Sequence, residues 1–411
     1  VTGSARIRSR AAVFGNGMFR LLFTATLGSA IGTYATTIAL TADIDARTQS
    51  TWWVALLFLV TFMPRIFVGL FIGPLIDRLS RKTLIVGSDV VRLVVFALLP
   101  FAHHPGTMIV LAAVSGIADS FFRPAVFAGA PNLVGERDLD SATTLLQGTE
   151  WLAAAIGPLI AGTLVSVSGS HIVYWMNAAT FLFSAVLLVR IPGRLLQSAQ
   201  GISRGHWSDL REGFTAFRST ALRVALYGFG LTIIASGLVN VSEIFLATRS
   251  LGSSRGFGYG LLWTGSGVGL VAGSIVTGFL LERHNVLNIY ALAFVPLTVG
   301  ILGAAAAPNI WIAATSMTMT GFGNGLTFPM TILIVQRYTS DRLRGRAFTV
   351  IISVQTAFLG LAQASSAPLT AAIGARWTYV VAAAFTAGSA LVVVALLRAD
   401  TSRLIPREAT A

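Results

Sequence analysis

Gly73-Pro74-Leu75-Ile76-Asp77-Arg78-Leu79-Ser80-Arg81-Lys82 is the stretch on which the reading of this chain turns. Asp77, Arg78, Arg81 and Lys82 crowd together directly between an apolar run at 52–74 and another at 83–102. Each run is about twenty residues, the length a helix needs to cross the hydrocarbon core of a bilayer. Two such runs joined by a short charged segment make a helical hairpin whose bend lies in water.

Outward from this hairpin the pattern repeats. Further apolar runs fall near 18–40, 106–130, 141–166, 172–191, 222–248, 257–281, 287–306, 309–335, 346–372 and 377–397. Of the 411 residues, 55% are hydrophobic and 11% charged, where a soluble domain carries roughly a quarter charged. The mean hydropathy of +0.77 agrees. The reading is an all-α membrane protein of twelve transmembrane helices. The polar, basic segment 192–221 divides it into two six-helix bundles, 18–191 and 222–397, flanked by tails at 1–17 and 398–411. The first run, starting near Met18, is too long for the core of a secretory signal.

The net charge of +13 is better read as topology than as nucleic-acid binding, since arginine and lysine collect on the cytoplasmic side of membrane proteins. With the N-terminus inside, the inner segments hold Arg6, Arg78, Arg81, Lys82, Arg137, Arg190, Arg283, Arg337, Arg346, Arg398 and others, and the outer loops only Arg47, Arg249, Arg255 and Arg376. Both termini and the central loop are therefore expected in the cytoplasm, and the chain in the cell (inner) membrane. Trp52, Trp53, Trp175, Trp311 and Trp377 fall at the outer helix ends, where an indole bridges lipid and headgroups. In the central loop, Trp207, Phe214 and Phe217 alternate with charges as on an amphipathic surface helix.

With no cysteine, disulfides, thiolate metal sites and a thiol nucleophile are excluded. The five histidines form no metal-ligand spacing, and His103-His104 reads as a solvated turn. Gly28/Gly32, Gly69/Gly73 and Gly265/Gly269/Gly273 make small-residue stripes suited to close helix contact. Gly321, Gly323 and Gly325 are expected to make the tenth helix pliable. Phe122-Arg123-Pro124 in the first half is faintly echoed by Phe328-Pro329 in the second, as a duplicated unit would give.

The stretch 73–82 resembles the signature loop between the second and third helices of the major facilitator superfamily, Gly-x-x-x-Asp-Arg-x-Gly-Arg-Arg/Lys, with Ser80 in place of the second glycine. The resemblance assigns Gly73, Asp77, Arg78 and Arg81 to a conformational latch. Asp77 can face a helix N-terminus, and Arg81 can pair with Asp89 or Asp119, shutting the cytoplasmic side in one state. Gly148-x8-Gly157-Pro158-Leu159-Ile160-Ala161-Gly162 resembles the superfamily's antiporter motif, with a shorter upstream spacing. It implies an exporter whose fifth helix bends against the eighth, where the Gly265 stripe lies. Phe121-Phe122-Arg123-Pro124-Ala125, Pro131-Asn132-Leu133-Val134, Asp138-Leu139, Ser141-Ala142 and Arg344-Gly345-Arg346-Ala347-Phe348 are similar to the branch of macrolide efflux proteins and enterobactin exporters. That branch implies a monomeric, proton-driven exporter of amphipathic drugs, antibiotics or siderophores, with no cofactor. Its frequent acid on helix one is missing here, where Gly32-Thr33-Tyr34 stands.

An ionisable group inside the membrane costs at least ~2.5–3.5 kcal/mol, so each is a functional candidate. Those expected inside are Arg65, Asp89, Arg92, Asp119, Arg123, Glu150 and Glu243. Asp89/Arg92 and Asp119/Arg123 have the spacing of pairs on one helix face, and read as latch elements with Arg81. Glu150, with no cation on its own helix, is either a proton carrier or the partner of Arg65 or Arg92. Asp119 and Glu243 are further proton-coupling candidates, although Glu243, near the outer end of helix seven, could simply snorkel to water. Tyr34, Arg65, Phe121, Tyr227, Asn240, Phe322 and Asn324 are candidates to line a substrate cavity. The alternatives to an exporter are an uptake transporter of a small nutrient and a non-transporting membrane sensor or assembly protein. No nucleophile–base or metal-ligand spacing favours an enzyme.

Overall fold

A computed structural model describes residues 13–64, 79–135, 138–197, 217, 219–339 and 341–399. Arg65, Gly69, Gly73, Asp77, Arg78, both tails and most of the central loop lie outside the described residues. Among the described residues every regular element is helical. The main helices are α1 Gly17–Thr48, α2 Thr51–Phe62, α3 Arg81–Leu98, α4 Pro105–Val134, α5 Leu139–Ser168 and α6 Ser170–Val189. They continue with α7 Thr220–Phe245, α8 Phe257–Leu281, α9 Val286–Ala306, α10 Ile310–Tyr338 and α11 Asp341–Ala399. Nine helices among the described residues are long and apolar enough to cross a membrane.

Local chemistry sets the helix ends. Asn16 caps α1 by accepting from the Met18 and Phe19 amides, and its own amide donates to the Leu133 carbonyl at 2.6 Å, tying the start of α1 to the end of α4. Asn285 and Asn309 cap α9 and α10 in the same way, each satisfying a first-turn N–H. α1 runs to Thr48, well past the expected end at 40. α11 bends at Gly374, where φ is 80°; this left-handed conformation suits glycine and falls in the gap expected between the last two apolar runs.

Packing divides the chain into two units. The first takes α1, most of α2, α3 to α6 and residues 255–260; the second takes residues 50–55, α7, α8 from Leu261 onward, and α9 to α11. In the first unit α1 lies on α5 and α6, and α3 on α4 and α6. In the second α7 lies on α11, and α9 on α10 and α11. Phe217 is buried in the core of the second unit, so this residue of the expected surface helix does not lie on the surface.

Glycines permit the closest approaches. A Cβ at Gly32 would collide with Asn177 and Thr180 of α6, and one at Gly157 would lie 2.9 Å from the Ile31 carbonyl of α1. The Gly265/Gly269/Gly273 stripe faces α10, where a Cβ at Gly269 would strike the Thr318 carbonyl and the Phe322 amide. Its partner is therefore α10, not the fifth helix. Gly321 and Gly325 return the contact from α10, and Gly323 lies against Leu297 of α9. The three α10 glycines thus serve close packing on two sides of an unbroken helix.

Gly269→Leu is expected to destabilise the second unit by at least about 1–3 kcal/mol, the usual cost of overpacking. Gly278→Leu, at an exposed position with no atom within 4 Å of its Cβ, is the control. Thermal stability in detergent, followed by monodispersity, compares them.

Candidate functional site

The charged side chains of the first unit converge across α3, α4, α5 and α6. Arg92 sits two-thirds of the way along α3 and is 2% exposed. Its guanidinium meets Asp89, one turn earlier, at 2.6 Å, and Asp119 of α4 at 3.3 Å. The guanidinium carbon also lies 4.3 Å from the ring centroids of both Phe122 on α4 and Phe181 on α6. A planar cation between two aromatic faces keeps its edges free for carboxylates. Ser184 of α6 donates to the second oxygen of Asp89 at 2.5 Å. Three helices are thereby fixed around one cation.

One turn beyond Asp119, Arg123 reaches across to α5 and pairs with Glu150 at 3.2 Å. Its side chain is a third exposed, Glu150's a tenth. The pair thus joins a partly exposed cation with a nearly buried acid. Tyr34 of α1 shares the electrostatic surroundings of Arg123. The ion pair brings Arg123 and Glu150 together between helices. Glu150 is therefore a partner of Arg123, and does not take the expected structural partner Arg92.

Arg81 does not pair with Asp89 or Asp119. Its guanidinium donates to the carbonyls of Ala128 and Leu196, at 2.8 and 2.9 Å. Asp89 is eight residues further along α3, about 12 Å down the axis, and Arg92 already holds both carboxylates. Lys82 donates similarly to the Val189 carbonyl. The Val189 and Leu196 carbonyls close their helices and lack intrahelical partners there, while Ala128 lies within α4.

Of the antiporter-motif residues, Gly157 packs on α1, and Gly162 lies against Gly256 and against Gly260 in the first turn of α8, so the fifth helix meets the start of the eighth, ahead of the Gly265 stripe. The Pro158 carbonyl is also against Gly260. Among the described residues, a Cβ at Gly148 would meet nothing within 4 Å. Tyr34 and Phe121 belong to the first unit and are half-buried; Asn240, Phe322 and Asn324 are half-buried in the second, and Tyr227 is exposed there. Glu243 does not snorkel to water: α7 is followed directly by a π turn at Leu246–Ser250, and the residue is 3% exposed.

Two features escaped the sequence. Thr33, Thr36, Thr37 and Thr41 of α1 line a cavity of about 50 Å³ with Thr61, Ser115, Phe58 and Phe96. It has room for a water molecule or two, not for an amphipathic solute. Threonines at such spacing share a helix face, the signal that was available. At the far end of α1, Asp43 pairs with Arg47 at 2.7 Å and accepts from Tyr174, while Asp45 pairs with Arg255 at 2.8 Å. An apolar-run reading leaves both acids in a loop.

The profile of the Major Facilitator Superfamily matches residues 17–351 and again residues 225–410. The enterobactin exporter EntS of Citrobacter koseri is 27% identical over 398 residues, spanning 92% of this chain and 90% of that protein. The protein of the same name from Salmonella typhi is 28% identical over 396 residues, spanning 92% and 91%. Among solved structures, the nucleoside transporter NupG has a TM-score of 0.75 at 13% identity, covering 93% of this chain and 99% of that one. A bacterial homolog of the human lysosomal transporter Spinster, inward-facing and unoccupied, has a TM-score of 0.72 at 12% identity, covering 93% and 97%.

Arg92→Leu strands Asp89 and Asp119 without their cation, and is expected to cost about 3–5 kcal/mol. Arg92→Lys keeps the charge but loses the flat stack, and should fall between. Melting of the detergent-solubilised protein ranks the three.

Proposed function

This chain belongs to the Major Facilitator Superfamily, and on that premise we propose that it is a proton-coupled exporter of amphipathic small molecules of the siderophore or antibiotic kind. It is a membrane transporter and not an enzyme, as are its relatives. The observation that carries the export reading is the match to enterobactin exporters over nine-tenths of both chains. The antiporter-like motif on α5 points the same way.

In this reading α1 to α10 and the two arms of α11, 341–373 and 375–399, make twelve spans. The arginine asymmetry puts both termini in the cytoplasm of a cell whose inner membrane holds the chain as a monomer. The loop at 73–82 acts as the latch, with Arg81 holding the Ala128 carbonyl of α4 and the turn at Gly193–Leu196.

The Arg123–Glu150 pair supplies the exchange. An ionised carboxylate is an acceptor only. A solute that offers hydroxyl donors beside an apolar body binds it in that form, with Arg123 holding the charge in place. Protonation of Glu150 turns one oxygen into a donor, cancels the charge-assisted hydrogen bond and discharges the solute. By linkage, solute and proton weaken each other by the same factor. No cofactor is needed, since the gradient supplies the energy. Tyr34 and Phe121 in the first unit, and Tyr227, Asn240, Phe322 and Asn324 in the second, are the proposed contacts.

Affinity for a catecholate siderophore in detergent is therefore expected to rise with pH. Glu150→Gln should flatten that dependence and lower gradient-driven efflux about tenfold, within the usual range of coupling energies. Efflux from cells of a panel of macrolides, siderophores and dyes, with and without an uncoupler, tests the class. Efflux of none of them, or efflux insensitive to the uncoupler, overturns the reading.

A further inference from the structure

α7 and α11 pack against each other and carry two buried polar side chains that the exchange at Arg123–Glu150 does not use. Glu243 of α7 is 3% exposed, and its Oε1 has no hydrogen-bond partner among the described residues. Gln363 of α11 is wholly buried, and neither Oε1 nor Nε2 of its amide has one among them. Gln363 belongs to a stretch where the two helices lie close, and Glu243 stands six residues beyond Gly237 on α7. A Cβ at Gly237 would be 2.6 Å from the Cβ of Ala362 and 3.2 Å from the Gln363 amide nitrogen, and Ser366 donates to the Leu238 carbonyl at 2.9 Å.

No cation among the described residues lies within ion-pair distance of Glu243. α7 packs mainly on α11 and to a lesser extent on α10. At the Glu243 end, the charged or titratable groups these elements offer are Arg249, Arg376 and Tyr379. Arg249 stacks on the Phe245 ring at 4.5 Å, and Arg376 donates to the Ala305 and Ser250 carbonyls. Tyr379 is itself buried. Arg223, Tyr227, Arg337, Tyr338 and Arg346 stand at the opposite ends of their helices. A carboxylate in apolar surroundings without a cation or donors is far more costly than the neutral acid.

We propose that the outer end of α7 contains a proton-binding site centred on Glu243, separate from the Arg123–Glu150 pair and occupied in this conformation. The step is the addition of one proton to a carboxylate oxygen, with no other bond made or broken. The proton leaves only when the packing around this end of α7 opens far enough for a donor or water to reach the anion, so its release is tied to a change in that packing. That it is carried during transport rests on the exporter reading; that it is bound does not.

Infrared difference spectroscopy of the full-length protein in lipid at neutral pH separates the two statements. The wild type is expected to show the carbonyl stretch of a protonated carboxyl in apolar surroundings. E243Q should abolish it and E150Q should leave it. A band that survives E243Q, or no band at all, overturns the site. If E243Q does not fold, E243D serves, because it keeps the acid and shifts the band. In proteoliposomes carrying a pH gradient, with a catecholate siderophore as probe, E243Q should keep gradient-free exchange but lose about tenfold in uphill accumulation. Uphill accumulation at the wild-type level overturns the carrier role. A wild type that accumulates nothing overturns the exporter reading instead, while the infrared band still decides the site.

Discussion

The enclosure of Arg92 is the contact on which the first unit depends. A guanidinium leaves water only if its charge and its donors are met where it goes. Here two carboxylates meet its edges and two phenyl rings its faces, drawn from α3, α4 and α6. Ser184 in turn holds Asp89. Because the guanidinium is flat, the rings and carboxylates must occupy particular directions, and the rotation of each helix about its own axis is set. Arg123, one turn beyond Asp119 on α4, is then carried to where Glu150 of α5 can take it. The exposed pair inherits its geometry from the buried one.

Elsewhere the helices are held by what their side chains lack. Lipid offers little hydrophobic drive for helices to associate, so contact depends on small residues and on hydroxyls that satisfy themselves. Gly32 and Gly157 bring α1 against α6 and α5, and the Gly265 stripe brings α8 against α10. Thr26, Thr36, Thr41, Thr232 and Thr331 each donate back to the carbonyl one turn earlier. Such hydroxyls can lie inside a bundle at little cost, and their oxygens still accept. That is how Thr36 takes the amide of Asn177 at 2.6 Å, and how four threonines of α1 come to line a small cavity without a single charge.

What could be read in the chain before its folding follows from these forces. Apolar length is a signal carried by each segment alone, so the helices are legible; the gap before Trp377 marked the bend at Gly374. Partners are not, because a charge in a sequence has no depth. Arg81 was matched with Asp89 by sign, but eight residues of helix separate them, and Arg92 was nearer. The Gly265 stripe showed that something comes close, without showing that it is α10. Asp43 and Asp45 looked like loop residues, yet α1 continues through both because Arg47, Tyr174 and Arg255 meet them. Gly148 matched a motif, yet no described residue would touch a Cβ placed there.

Glu150 and Glu243 show why pairing decides chemistry inside a membrane. Glu150 has a cation at 3.2 Å, and that cation is a third exposed. Its charge is tolerated, and anything that alters Arg123 alters the field at it. Glu243 is buried just as deeply, and among the described residues it has no cation and no donor on Oε1. Its charge is not tolerated while the packing around α7 stays closed, and only a movement of helices changes that. The first acid therefore responds to what binds and the second to how the helices pack. A transporter needs both kinds of response, because binding must alter the packing and the packing must alter binding.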